Sequence, residues 1–283
     1  ILVYFIARFE AFTFSVNQRK LFCCMVILVV LSVTACAGGD TNDVCKGIHI
    51  SATEQEDSWE EDGHRILIKK DGVILSGTAD SDLRIVCREG VSSLELKNLD
   101  QGEHEIHLSP NPEAKEFQII VRGENRLREI ASAGSVLIKG ADTAASLNLD
   151  DGVRTHEDLV IQDVVMRGGY FKSFRNMEIV GDSQLYAENS TEGTDISLTA
   201  KIQARKKLSI NLAGEGTIVI NNAEGLLPIH ACPIELGKDN NIVEPRNAVL
   251  KKEDSIDGAD SCTIQNKDGS FAEEVKIVHQ QKK

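Results

Sequence analysis

The sequence is poor in aromatic rings. Phe, Tyr and Trp total 13 in 283 residues, and six of them lie before residue 36. Trp59, Phe117, Tyr170, Phe171, Phe174, Tyr186 and Phe271 remain. So few rings cannot fill a core, which must therefore be aliphatic. Bases are also in deficit: 31 Lys and Arg stand against 44 Asp and Glu, a net charge of −13. Residues 1–35 hold Arg8, Arg19 and Lys20 against Glu10, so the other 248 residues carry −15. That sign argues against a nucleic-acid partner, because phosphate binding needs a basic surface. The run Arg205, Lys206, Lys207 reads as a solvated turn. Pro (5) and Gly (22) are at ordinary usage, which argues against collagen-like or Pro-rich chains. There is no GxGxxG, Walker loop or HExxH, and no Cys or His spacing of a zinc site. His104 and His107, in HEIH, are expected on opposite faces of a strand, unable to share a metal.

What is present begins with an address. Arg19 and Lys20 precede an apolar run of 13 residues, Leu21 to Val33. That is shorter than the ~20 residues a membrane-spanning helix needs and fits a secretory signal. Val33, Thr34, Ala35 and Cys36 resemble a bacterial lipobox, in which Cys36 is the lipidated first residue of the mature chain. The resemblance implies an extracytoplasmic protein held to the membrane by its N-terminal lipid. Ala37, and not Asp, follows the Cys; in a host with two membranes, the resemblance to sorted lipoproteins implies the outer membrane or cell surface. Residues 1–35 are read as the signal peptide, residues 1–16 within them as a mis-started frame, and 36–64 as tether and N-terminal segment. Beyond Cys36 stand Cys45, Cys87, Cys232 and Cys262, an even number suited to an oxidising compartment. Four cysteines allow three pairings. Cys45 with Cys87 and Cys232 with Cys262 are favoured, because each pair joins neighbouring segments near one terminus.

The middle of the chain repeats. Bursts of period-two alternation start at Leu94, Ile119, Val136, Leu159, Met177 and Leu208, in steps of 25, 17, 23, 18 and 31 residues. In each burst one face is apolar: Met177 and Ile179 point inward and Glu178 outward, and likewise Leu159 and Ile161 against Val160, and Val136 and Ile138 against Leu137. Such segments are half-buried strands. A turn former follows each inward start: Asn98, Gly123, Gly140, Asp163, Gly181 and, in a register one or two residues looser, Gly214. Strands this short need neighbours to bury their faces, so a repeat of about 20 residues implies a coiled sheet. The pattern resembles the right-handed parallel β-helix of bacterial surface proteins with carbohydrate-binding domains. The resemblance implies an all-β fold, with the β-helix over 65–236 and a C-terminal cap over 237–283 closed by the strand-turn-strand CTIQNKDGSFAEEVKIV. A β-sandwich is the alternative.

Three sets of residues could carry chemistry. Glu124, Asp142, Asp163, Asp182 and Glu215 flank successive turns; stacked carboxylates repel unless a cation such as Ca²⁺ separates them. Asp150 and Asp151 form a second acidic turn. In RGGYFKSFR, the side chains of Arg167, Tyr170, Lys172, Phe174 and Arg175 could form a platform that stacks on sugars and bonds acidic groups, with Phe171 or Phe174 alternatively filling the interior. β-Helix lyases and glycosidases need converging residues in a walled groove. Steps of 17 and 18 residues leave too little chain for such walls. The reading is therefore a non-catalytic, lipid-anchored binder of polysaccharide or cell-envelope glycan. A β-helix lyase or glycosidase, or a structural adhesin with a protein partner, is the alternative. Nothing in the sequence fixes the oligomeric state.

Overall fold

The computed structural model describes residues 43–52, 57–110, 116–188, 200–221, 227–256 and 259–280. The signal-like segment and Cys36 lie outside the described residues. Within them the chain is all β, without a helix, and forms a parallel β-solenoid of about 7 turns. Each turn visits three sheets in the same order. Phe117–Arg122, Val136–Gly140, Leu159–Gln162, Asn176–Gly181 and Lys207–Leu212 stack in parallel in the first. Glu124–Ser132 and Ser146–Thr155 cross from the second sheet into the third, each bent where the register shifts after Leu127. Later turns use separate strands: Val165–Gly168 and Gln184–Ala187 in the second sheet, Tyr170–Ser173 and Ala200–Ala204 in the third.

Alternation decides what goes inside. The first sheet stacks Ile119, Ile138, Ile161, Ile179 and Ile210 in one ladder. Val136, Leu159, Met177 and Leu208 form the ladder beside it. All nine are buried, while Leu137 and Val160 are half-exposed and Glu178 is exposed. The third sheet adds Ile85, Leu108, Ile130, Val153, Phe171, Ile202 and Ile229. Phe171 thus fills the interior as one more rung. Each such side chain contributes about 1.5–3 kcal/mol by leaving water.

One register differs from the sequence reading. Val136 pairs with Phe117, and Ile138 with Ile119, so that step is 19 residues and not 17. A slip of two preserves which residues face inward, so alternation alone does not detect it.

The corner between the first two sheets needs left-handed backbone. Asn98, Gly123, Asp163, Gly181 and Gly214 all have positive φ there. Gly140 does not; its corner is longer and passes through Asp142, which accepts the Ala144 amide at 3.0 Å. A Cβ on Gly123 or Gly181 would strike the side chain of Asn98 or Asp163 in the turn before.

Both ends of the coil are closed by antiparallel strands, which protect open sheet edges. Ile48–Ala52 pairs with Val73–Thr78, and Trp59–Asp62 with Arg65–Ile68. At the far end Glu274–His279 covers Thr217–Asn221, and Ala259–Gln265 meets Leu227–Ala231 through Ala231 and Cys262. The expected closing strand-turn-strand is not a hairpin. Gln265 bridges Phe271 in the turn, outside the second strand, and the two strands, Ala259–Gln265 and Glu274–His279, cap different sheets.

Cys232 and Cys262 are bonded, with Cα atoms 4.9 Å apart. Cys45 and Cys87 are not: both are buried free thiols. Cys87 stands opposite Ile68 in the third sheet. Cys45 belongs to the cap strand antiparallel to Ile48–Ala52 and hydrogen-bonds Glu61. Both sit in the one hydrophobic core, and adjacency near one terminus does not bring their sulfurs into a bond.

Candidate functional site

The outer face of the third sheet gathers a connected polar cluster. In Ile106–Ser109, Ile106 and Leu108 face inward, so His107 must face outward. Register sets Arg84 on one side of His107 and Glu129 on the other. Gly152 and Tyr170 continue the same row. A side chain at Gly152 would collide with the backbone of Tyr170, so the row has a gap there. Across it the Tyr170 hydroxyl donates to Glu129 Oε2 at 3.4 Å.

Glu129 Oε1 lies 3.0 Å from His107 Nδ1, and Glu105 Oε2 lies 3.3 Å from Nε2. The ring satisfies both carboxylates only when both nitrogens carry hydrogen. Glu105 also pairs with Arg128, which reaches Asp151 at 2.9 Å. Burial pushes the Tyr170 phenol up to about 12, assisted by the neighbouring Glu129 charge. Beside this network is an open cleft of about 370 Å³ lined by His64, Arg65, Asp82, Leu83, Arg84, Glu105 and His107. It is open, with hydrogen-bonding groups set among the apolar stems of its charged side chains, and does not enclose a ligand.

The residues expected to form a platform do not share one face. Arg167 is on the second sheet, 4.0 Å above the Tyr186 ring and paired with Glu188 at 3.0 Å. Phe174 is occupied: His156 packs with its ring centroid 4.9 Å away, and Arg205 lies 4.3 Å above it. Arg175 pairs with Glu157 at 2.5 Å. Only Tyr170 and Lys172 project from the third sheet, Lys172 in a row between Arg154 and Gln203. The sequence is contiguous there, but the coil turns a corner within it.

In the acidic ladder, as elsewhere among the described residues, no three His, Cys, Asp or Glu side chains are grouped as metal ligands. Its oxygens accept backbone amides instead. Asp163 accepts Asp182 N, and Asp182 accepts Glu215 N, each at 2.9 Å. Asp142 lies 3.5 Å from Gly123 N and 3.8 Å from Arg122. Glu124 is exposed, and its amide is the donor to Asn98. Amides of one turn thus take up the charge that a cation would otherwise offset. Asp150 and Asp151 pair with Arg126 and Arg128.

His107, Glu105, Glu129 and Arg84 were missed by sequence reasoning. His104 lies in the turn before the strand and approaches Asp82 at 3.6 Å. The one available signal was an outward His in a burst of buried aliphatics. Its partner lies 22 residues on, visible only once the turns are stacked.

No protein-family model matches the chain, no curated protein matches it, and no solved structure matches it. The functional reading therefore rests on the geometry of this face.

Proposed function

We propose that the chain is a lipid-anchored cell-surface protein that binds polysaccharide along the outer face of the third sheet without cleaving it. The supporting observation is the row Arg84, His107, Glu129, Tyr170 beside an open cleft. Planar polar side chains in register suit the hydroxyls of a glycan chain, and Tyr170 supplies the ring such sites stack against. A shallow cleft admits the interior of a long polymer, whose ends need not enter. The lipobox-like Val33–Cys36 motif would tether the solenoid outside the membrane. Glu105 and Glu129 serve here as partners of His107, holding it in place.

Incubation of the protein with neutral and acidic glycans tests this reading. Retention without products supports it, and Tyr170→Ala should weaken retention about tenfold while leaving the fold intact. Reducing ends or unsaturated products would instead make it a glycosidase or lyase. Absence of both retention and products leaves an adhesin with a protein partner. Cys36→Ser should release the chain from membranes; unchanged partition would remove the lipid anchor from the proposal.

A further inference from the structure

We propose that the cleft at the start of the third sheet takes the carboxylate of a uronate sugar within a polysaccharide, held by Arg84. The inference rests on the glycan reading above and specifies the class of glycan. Arg65 and Arg84 stand directly opposite each other in parallel register, about 4.8 Å apart. Like charges so placed repel unless an anion attends them. Arg65 has one, Asp62 at 2.6 Å. The Arg84 backbone amide donates to the His64 carbonyl at 2.9 Å, but its guanidinium has neither an ion-pair nor a hydrogen-bond partner among the described residues, and its other neighbour in the row is His107.

The acids of the cleft are already committed. Asp82 accepts the Glu105 amide at 3.1 Å and faces His104. Glu105 pairs with Arg128 and faces His107. Arg84 is therefore the cleft's one guanidinium with its charge unmet, in a protein of net charge −13. Its planar fork matches a carboxylate with two parallel hydrogen bonds. Asp82 and Glu105 line the same cleft, and each carboxylate has further lone pairs that can accept ring hydroxyls. At about 370 Å³ the cleft has the size of a small-ligand site, open enough for a polymer to run through.

Titration calorimetry with the full chain tests the assignment. The probes are oligogalacturonate, oligoguluronate, their carboxyl-reduced counterparts, and a sulfated neutral oligosaccharide. We expect at least one uronate to bind about tenfold or more tighter than its reduced form. Arg84→Gln should abolish that preference, and Arg84→Lys should keep part of it, since charge remains and the fork does not. Arg84 is exposed, so the variants should unfold at the wild-type temperature, which is checked alongside. Equal binding of acid and reduced forms overturns the inference and leaves the glycan reading standing. Uronate preference that survives Arg84→Gln also overturns it, as does preference for the sulfated probe. Binding of no probe, acidic or neutral, removes the glycan reading and this inference with it.

Discussion

Ile161 and Val160 are neighbours in the chain and opposites in the coil. Ile161 is fully buried between Ile138 and Ile179, whereas Val160 is half-exposed between Leu137 and Glu178. Truncating Ile161 to Ala leaves a cavity between two fixed rungs, so a loss of about 2–5 kcal/mol is expected. Val160→Ala should cost less than half as much. Denaturant unfolding of the two variants checks the contrast, and equal costs would contradict the single-walled coil. The thiols are a second residue-scale case. Burial pushes Cys45 up to about 11 and Cys87 to about 12. Thiolate is the reactive form, so both should resist alkylation at pH 8 in the folded protein. Peptide mapping after denaturation without reductant should then find label on Cys45 and Cys87 and none on Cys232 or Cys262. Label missing from the first pair would mean that they do bond.

At the scale of the element, the corners matter more than the strands. Each corner leaves amides that cannot join a ladder, and side chains from an adjacent turn accept them. Asp158 accepts the Asn176 amide at 3.0 Å, and buried Asn125 accepts that of Leu99 at 2.9 Å. Asp71 accepts both the Ser92 and Ser93 amides, at 2.6 and 2.9 Å. Burial alone would raise its carboxyl, but the hydrogen bonds from Ser92 and Ser93 together hold it below the usual range. A depressed folded value means that the stabilisation is present above the unfolded value of about 3.9. It is lost as pH falls through the folded value. The stability difference between the native chain and Asp71→Asn should therefore be largest near neutrality and shrink below about pH 4. Denaturant midpoints across that range measure it, and a constant difference would assign the effect to packing. The ladder of acids was legible in the sequence, but its role was not. Amide capping and cation binding ask for the same residue types, and only the position of the next turn separates them.

At the scale of the whole molecule, the two caps keep the coil finite. The disulfide fastens Ala259–Gln265 to the last strand of the third sheet, closing a loop with a sequence separation of 30. Chain entropy gives such a loop a stabilisation of about 3.6 kcal/mol. Cys262→Ser should lower the unfolding free energy by about 2–4 kcal/mol. Loosening that cap also frees the edge of Leu227–Ala231, so light scattering on warming should show earlier association than in the native chain. A variant that unfolds like the native protein would show that β pairing alone holds the cap.

The sequence by itself determined which side chains face inward from Val136 to Ile179, because a strand's two-residue period is a local property. It determined the aliphatic core by scarcity of rings, and the coil by repetition of strands too short to stand alone. Tertiary structure alone decided which turn lies on which. Steps of 18 to 31 residues separate equivalent rungs, and a slip of two leaves alternation unchanged, as Phe117 and Val136 show. It also dispersed Arg167, Phe174 and Arg175 around a corner and brought His107 to Glu129 and Tyr170. The candidate site belongs to the stacking direction, perpendicular to the chain, where residues meet through register and no local pattern records the meeting.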